Sequence, residues 1–61
     1  MDDNMEQIIN VYLPLVAWTK RSRDLAMLED YRRAWETLDR VEMALKRCRE
    51  VLGDIRTGRV H

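Results

Sequence analysis

The sequence has few of the residues that stabilise small domains covalently or through metal ions. Its 61 residues include one cysteine and one histidine, so no intrachain disulfide can form and a zinc site of about four ligands is not expected. A chain this short buries only about 60% of the surface that its unfolded form exposes. Small domains without such crosslinks commonly gain stability by oligomerisation, which we therefore expect here.

Phenylalanine is absent, and glycine and proline are scarce, with two and one residues. Strands and tight turns favour aromatic, β-branched, glycine and proline residues. Leucine, methionine, alanine, arginine and glutamate are common here instead, and they favour helix. The composition predicts an all-α fold.

The chain also lacks a long hydrophobic run and an excess of either charge. The longest mainly apolar run, residues 11–18, is about half too short to span a bilayer, and the N-terminus is acidic where a secretory signal is basic. Eleven acidic residues balance eleven lysines and arginines, so no net charge draws the chain to nucleic acid or anionic lipid. We expect a cytoplasmic protein with no membrane contact.

An apolar pattern with alternating steps of four and three residues runs through the second half of the chain. Its members are Met27, Tyr31, Ala34, Leu38, Val41, Leu45, Cys48, Leu52 and Ile55. This spacing is typical of a long helix that packs against other helices. It predicts a helix over about residues 24–52 that stops at Gly53 or runs one turn further, since Ile55 still fits the pattern. A flexible basic tail is predicted at residues 56–61.

A shorter first helix is predicted over about residues 4–20, where apolar residues recur at helical spacing. Pro14 lies inside it and predicts a kink or a break. One kinked helix is favoured because the apolar pattern continues through the proline.

The polar residues 19–24 are the predicted turn, with Ser22 or Asp24 capping the second helix. So short a connection makes the two helices antiparallel neighbours. The predicted fold is an antiparallel helical hairpin that forms a single domain over residues 1–61.

The two predicted helices differ in length, at roughly 25 Å and 43 Å for a rise of 1.5 Å per residue. The first then covers the second only to about residue 41, and a second copy of the chain would bury the remainder in a four-helix bundle. The predicted homodimer interface comprises Leu38, Val41, Leu45, Cys48, Val51, Leu52 and Ile55.

No catalytic, cofactor-binding or metal-binding residue is predicted. Cys48 lies in the apolar pattern and the single histidine is residue 61, so a nucleophile with an adjacent base is not expected. A small buried apolar side chain explains the cysteine better. We therefore expect a protein that is not an enzyme.

Basic residues form a row on the second helix. Arg33, Arg40 and Arg47 recur every seven residues, about 10.5 Å apart, and Arg49 lies nearby. A dimer would double the row into a stripe able to contact a phosphate backbone or an acidic partner. Interleaved glutamates and the zero net charge favour the simpler interpretation, a solvated face.

Two apolar residues stand out as possible partner contacts. Trp18 ends the densest apolar run, and Met43 occupies an outer position where a polar residue is expected. Core packing for Trp18, and an ordinary exposed methionine for Met43, are the alternatives.

These features favour a small, non-enzymatic helical protein–protein interaction module, acting as a homodimer in the role of a regulator, adaptor or inhibitor. One alternative is a nucleic-acid-binding accessory regulator that uses the arginine row. The other is a structural unit whose long helix assembles into a larger coiled coil.

Overall fold

Two α-helices of almost equal length form the protein. In the computed structural model, which describes residues 3–58, α1 spans Asp3–Met27 and α2 spans Tyr31–Thr57. They pack side by side as a hairpin, so the predicted all-α hairpin is confirmed. Its extents of 43 × 20 × 12 Å correspond to one layer of helix, two helices wide.

The first helix is longer than predicted. It continues through Pro14 and through residues 19–24, so the predicted turn at residues 19–24 and the predicted end near residue 20 are wrong. That polar segment contains no glycine or proline, and its lysine and arginines are good helix formers. Ser22, a predicted cap, is instead buried between the helices.

The turn occupies residues 28–30 and is closed by backbone hydrogen bonds. The N–H of Glu29 donates to the Ala26 carbonyl and that of Asp30 to the Leu25 carbonyl, both at 2.9 Å. This is the Schellman arrangement, in which the residue after the helix is left-handed. Glu29 fills that position with a φ of 61°, and the Asp30 side chain caps α2 by accepting from the Arg33 N–H.

The second helix passes the predicted stop at Gly53 and ends about one turn later, which is the alternative that Ile55 indicated. It passes through Gly53 and ends at Gly58, whose φ of 77° is left-handed and whose N–H donates to the Ile55 carbonyl at 3.2 Å. Arg56 and Thr57, the start of the predicted tail, are therefore helical. The rest of that tail, residues 59–61, lies outside the described residues.

Two hydrogen bonds between the helices fix their register. The Ser22 hydroxyl donates to the Ala34 carbonyl at 2.8 Å, and the Cys48 thiol donates to the Val11 carbonyl at 3.2 Å. These contacts are far apart along the hairpin, so α1 covers α2 over its length. The difference in helix length inferred from the sequence is therefore wrong.

Small side chains fill the space between the helices. Ala34, Ala44, Cys48 and Val51 are buried on α2, and the core cluster of Val11, Cys48 and Val51 is extended by Leu15 and Ile55. A serine or cysteine side chain reaches the opposite backbone only when the helices lie close together. The row of α2 that faces α1 thus has little room for leucine.

Neither of the two helices, as far as the structure describes the chain, is long and apolar enough to cross a membrane.

The position of the turn predicts opposite effects for two glycine substitutions. Glu29→Gly relieves a left-handed conformation that costs L-residues roughly 1–2 kcal/mol, so the free energy of unfolding in urea should stay constant or rise. Arg23→Gly lies within α1 and should lower it by about 0.5–1 kcal/mol, because arginine is a much better helix former than glycine. If Glu29→Gly were instead the more destabilising of the two substitutions, the turn would lie near residue 24.

Close packing of the helices predicts that a larger side chain at Ala44 is destabilising. Ala44→Leu should lower the free energy of unfolding by about 1–3 kcal/mol, since overpacking displaces neighbouring groups. Met43→Leu, at an exposed neighbouring position, is the matched control and should change it by less than about 0.5 kcal/mol. Equal effects at the two positions would contradict the packing.

Candidate interaction surfaces

An exposed row of leucines runs along α2 beside the helix contact. Leu38, Leu45 and Leu52 are 43%, 47% and 40% exposed, and their spacing of seven residues places them on one line. They follow the small residues Thr37, Ala44 and Val51 that face α1. The leucines lie one position further around the helix because the space between the helices accepts only the smaller side chains.

A second exposed apolar row lies on α1. Ile9, Tyr12 and Val16 are exposed, and steps of three and four residues place them on one face. Ile8 and Leu15 are half-buried and lie between this row and the core. α1 is therefore apolar on a face that its partner helix does not cover.

The two rows lie on the same side of the hairpin. The opposite side is marked by an open groove that residues of both helices line, among them Asn10, Pro14 and Met43. A step of two residues is roughly half a turn around a helix. Tyr12 is two residues from Asn10 and from Pro14, and Leu45 is two residues from Met43, so the two rows point away from the groove. We call the combined surface the apolar face; it comprises Ile9, Tyr12, Val16, Leu38, Leu45 and Leu52.

The predicted interface residues divide into three groups. Cys48 and Val51 are buried against α1, with Cys48 only 2% exposed, and Val41 and Ile55 are half-buried. The three leucines are on the apolar face. The α1 half of that face was not among the predicted interface residues, although the dense apolar run from residue 11 to 18 was a signal for it.

Charged residues border the apolar face on α2. Glu42 and Arg49 are exposed, and each follows a leucine of the face by four residues, so both lie at its outer edge. Neither takes part in an ion pair among residues 3–58. Arg49 is thus separated from the arginine row with which it was predicted.

The groove on the opposite side has an apolar floor and a cationic wall. We call it the Trp18 groove; it is lined by Asn10, Pro14, Trp18, Arg40, Met43 and Arg47 over the floor of Val11 and Ala44. Its volume is about 450 Å³. A further 210 Å³ continues past Asn10 and Arg47 to Gln7 and Val51.

A cation–π contact organises this groove. The guanidinium carbon of Arg40 lies 5.5 Å from the centre of the Trp18 ring, within the range of a favourable interaction. Met43 beside them is 69% exposed and Trp18 is 38% exposed. The structure thus brings together Trp18, Met43 and two of the predicted arginines, which are distant in sequence.

Arg33 and Arg47 have carboxylate neighbours. Arg33 lies 3.4 Å from the Asp30 carboxylate at the cap of α2, and Arg47 lies 3.4 Å from Glu50. Both pairs are solvent-exposed, so each contributes at most about 1 kcal/mol. Arg40 differs because its contact is the Trp18 ring.

A third apolar group lies at the turn. Met27, Leu28, Tyr31 and Trp35 are all exposed, although Met27 and Tyr31 begin the pattern that was predicted to pack against other helices. The later turn explains the exposure of Met27 and Tyr31, since they flank the connection. Trp35 follows the buried Ala34 and is exposed because it lies on the side of α2 away from α1.

The chemistry of the remaining candidate groups is limited. The Cys48 thiol is buried and donates to a backbone carbonyl. Within residues 3–58 no three histidine, cysteine, aspartate or glutamate side chains are grouped so that they could hold a metal ion.

Comparisons with protein-family models, curated proteins and solved structures found no match to this chain.

Proposed function

We propose that this protein is a small non-enzymatic interaction module that acts as a homodimer, with two hairpins joined at the apolar face into a four-helix bundle. The observation that carries the proposal is the apolar face itself, formed by exposed side chains of both helices on one side of a single layer. A helical layer is stable when another layer buries its apolar side.

The accessible surface area of the single chain is large for its mass, which supports an interface with a partner. It measures 5227 Å², whereas a compact monomer of 7.3 kDa is expected to expose about 4,200 Å². The chain thus exposes more surface than a compact monomer of its mass, which is consistent with an interface that buries roughly 800 Å² on each partner.

The leucine row is self-complementary, which favours a second copy as the partner. If two α2 helices run antiparallel across a two-fold axis at Leu45, that residue meets its own copy and Leu38 lies opposite Leu52 of the second chain. Symmetric dimers require this matching of one patch with itself.

The charged border of the face fits the same register. Glu42 lies three residues before Leu45 and Arg49 four residues after it, so each lies near the opposite charge of the second copy. The two pairs that result would select the antiparallel arrangement over a parallel one, in which like charges meet.

A regulatory, adaptor or inhibitory role follows from this architecture, because the dimer keeps the Trp18 groove accessible for another protein. The burial of the Cys48 thiol supports a structural role for the single cysteine. The proposal includes a cytoplasmic location, where a lone thiol remains reduced.

Nucleic-acid binding is the second candidate function, favoured by the position of Arg40 and Arg47 on one surface. Its weakness is the balance of eleven acidic against eleven basic residues, since nucleic-acid-binding proteins usually carry a clear basic excess. A structural coiled-coil unit is the third candidate and requires open-ended assembly, which sedimentation distinguishes from a closed dimer.

Leu45→Asp should dissociate the dimer. Two carboxylates would meet at the two-fold axis, so we expect sedimentation equilibrium to show at least a hundredfold weaker self-association, from an added cost of about 3 kcal/mol or more. Met43→Asp introduces the same charge on the opposite side of α2 and should leave the dimer intact. A wild-type protein that is monomeric at about 100 μM, a concentration that populates even weak dimers, would overturn the proposal.

The proposed register predicts a charge-swap result. Glu42→Arg and Arg49→Glu should each weaken self-association about three- to tenfold, since each places like charges together. The double variant restores two opposite pairs and should recover most of the affinity, as a double-mutant cycle reveals. A double variant weaker than both single variants would contradict the register but leave the dimer itself standing.

A further inference from the structure

We propose that the Trp18 groove is the recognition site for an acidic amphipathic helix of another protein. The inference deepens the proposed interaction function by giving the chemical character of its target. It uses the side of the hairpin opposite the apolar face, so each chain offers a groove whether or not the dimer forms.

The shape of the groove suits a short helix. It extends from Gln7 at one end to Trp18 at the other, which is about 16 Å or three helical turns. Its floor is formed by Val11 and Ala44, both buried and small, so the incoming side chains can settle between the two helices. A helix presents apolar side chains at steps of three and four residues to such a groove.

Exposed apolar side chains supply the anchoring contacts. Pro14, Trp18 and Met43 line the same stretch, and Met43 is 69% exposed. Tryptophan is enriched among residues that dominate binding energy, and methionine adapts its shape to different partners. This part of the groove would contact the hydrophobic side of the target helix.

The two arginines define the charge of the target. Arg40 and Arg47 lie on the α2 wall, two helical turns apart, which matches carboxylates seven residues apart on a target helix. The ring of Trp18 holds the Arg40 guanidinium, so little side-chain freedom is lost when a carboxylate binds it. Glu50 lies 3.4 Å from Arg47 in an exposed pair, which a better-placed carboxylate can replace at little cost.

The charge pattern favours a short acidic segment over a nucleic acid. A duplex follows a long basic surface and requires many phosphate contacts, whereas Glu36 and Glu50 interrupt this one and pair with neighbouring arginines. Two arginines beside a tryptophan match a few carboxylates on an otherwise apolar helix.

Selection from a displayed library of peptides about 16 residues long, enough for a helix of four turns, tests the proposal on the immobilised full chain. Enriched peptides should carry aspartate or glutamate beside apolar residues at steps of three and four. Their affinity should fall at least about tenfold for the Arg40→Glu, Arg47→Glu variant. A library that yields no enriched peptide would overturn the proposal.

A matched control separates the groove from general charge. Arg32→Glu with Lys46→Glu makes the same change in net charge on the outer side of α2, and should alter affinity by less than about threefold. Equal losses for both double variants, or none for either, would overturn the proposal. In the Trp35→Phe background Trp18 is the single tryptophan, so its emission should shift as an enriched peptide binds.

The dimer is tested separately. Leu45→Asp should retain peptide affinity within about threefold, because the site belongs to one chain and lies on the other side of the helix. If the protein does not self-associate but still binds the peptide, the proposed dimer is wrong and the proposed groove stands. Salt-sensitive binding of an approximately 20-base-pair duplex that requires Arg40 and Arg47, without peptide enrichment, would assign the groove to nucleic acid instead.

Discussion

The close approach of the two helices is the constraint on which the remaining structure depends. Ser22 and Cys48 each reach a backbone carbonyl of the opposite helix, and side chains this short can do so only across a narrow gap. Besides two leucines contributed by α1, the gap admits alanine, serine, cysteine and valine, and it has no room for a row of leucines from α2. Leu38, Leu45 and Leu52 are therefore displaced together to one side, and the apolar face is a direct consequence of how the hairpin packs.

A small intrachain core and a large external apolar face are thus two results of the same packing. The core cluster contains three buried side chains, supplemented by Leu15 and Ile55, which is little for a chain of 61 residues. Domains of this size commonly need an additional source of stability. In the proposed dimer, burial of the apolar face adds to the stability of each hairpin, so the free energy of unfolding would rise with protein concentration.

The sequence was sufficient to predict the hairpin but not its turn or the side that faces inward. The turn escaped because its left-handed position is filled by Glu29 rather than glycine, while the polar residues 19–24 resemble a loop. The inward face was not predicted because two rows of α2 share Ala34, Val41, Cys48 and Ile55. One row also contains the leucines of the apolar face, and the other contains the smaller residues that precede them. Hydrophobicity favours the row that adds the leucines, but the narrow gap selects the smaller residues between them. Which row of α2 faces inward therefore depends on the distance between the two helices, which the pattern of α2 alone does not give.

The Trp18 groove depends on register in the same way. Trp18 and Met43 were identified singly as possible contacts, but nothing in their sequence positions indicates that they share a groove with Arg40. Placing the groove and the apolar face on opposite sides of one layer has a functional consequence for the proposed dimer. Its two grooves would point away from each other, so one dimer would hold two target helices. Binding both would raise the effective affinity for a target that carries two copies of the acidic segment, which suits an adaptor that joins proteins better than an inhibitor that encloses one.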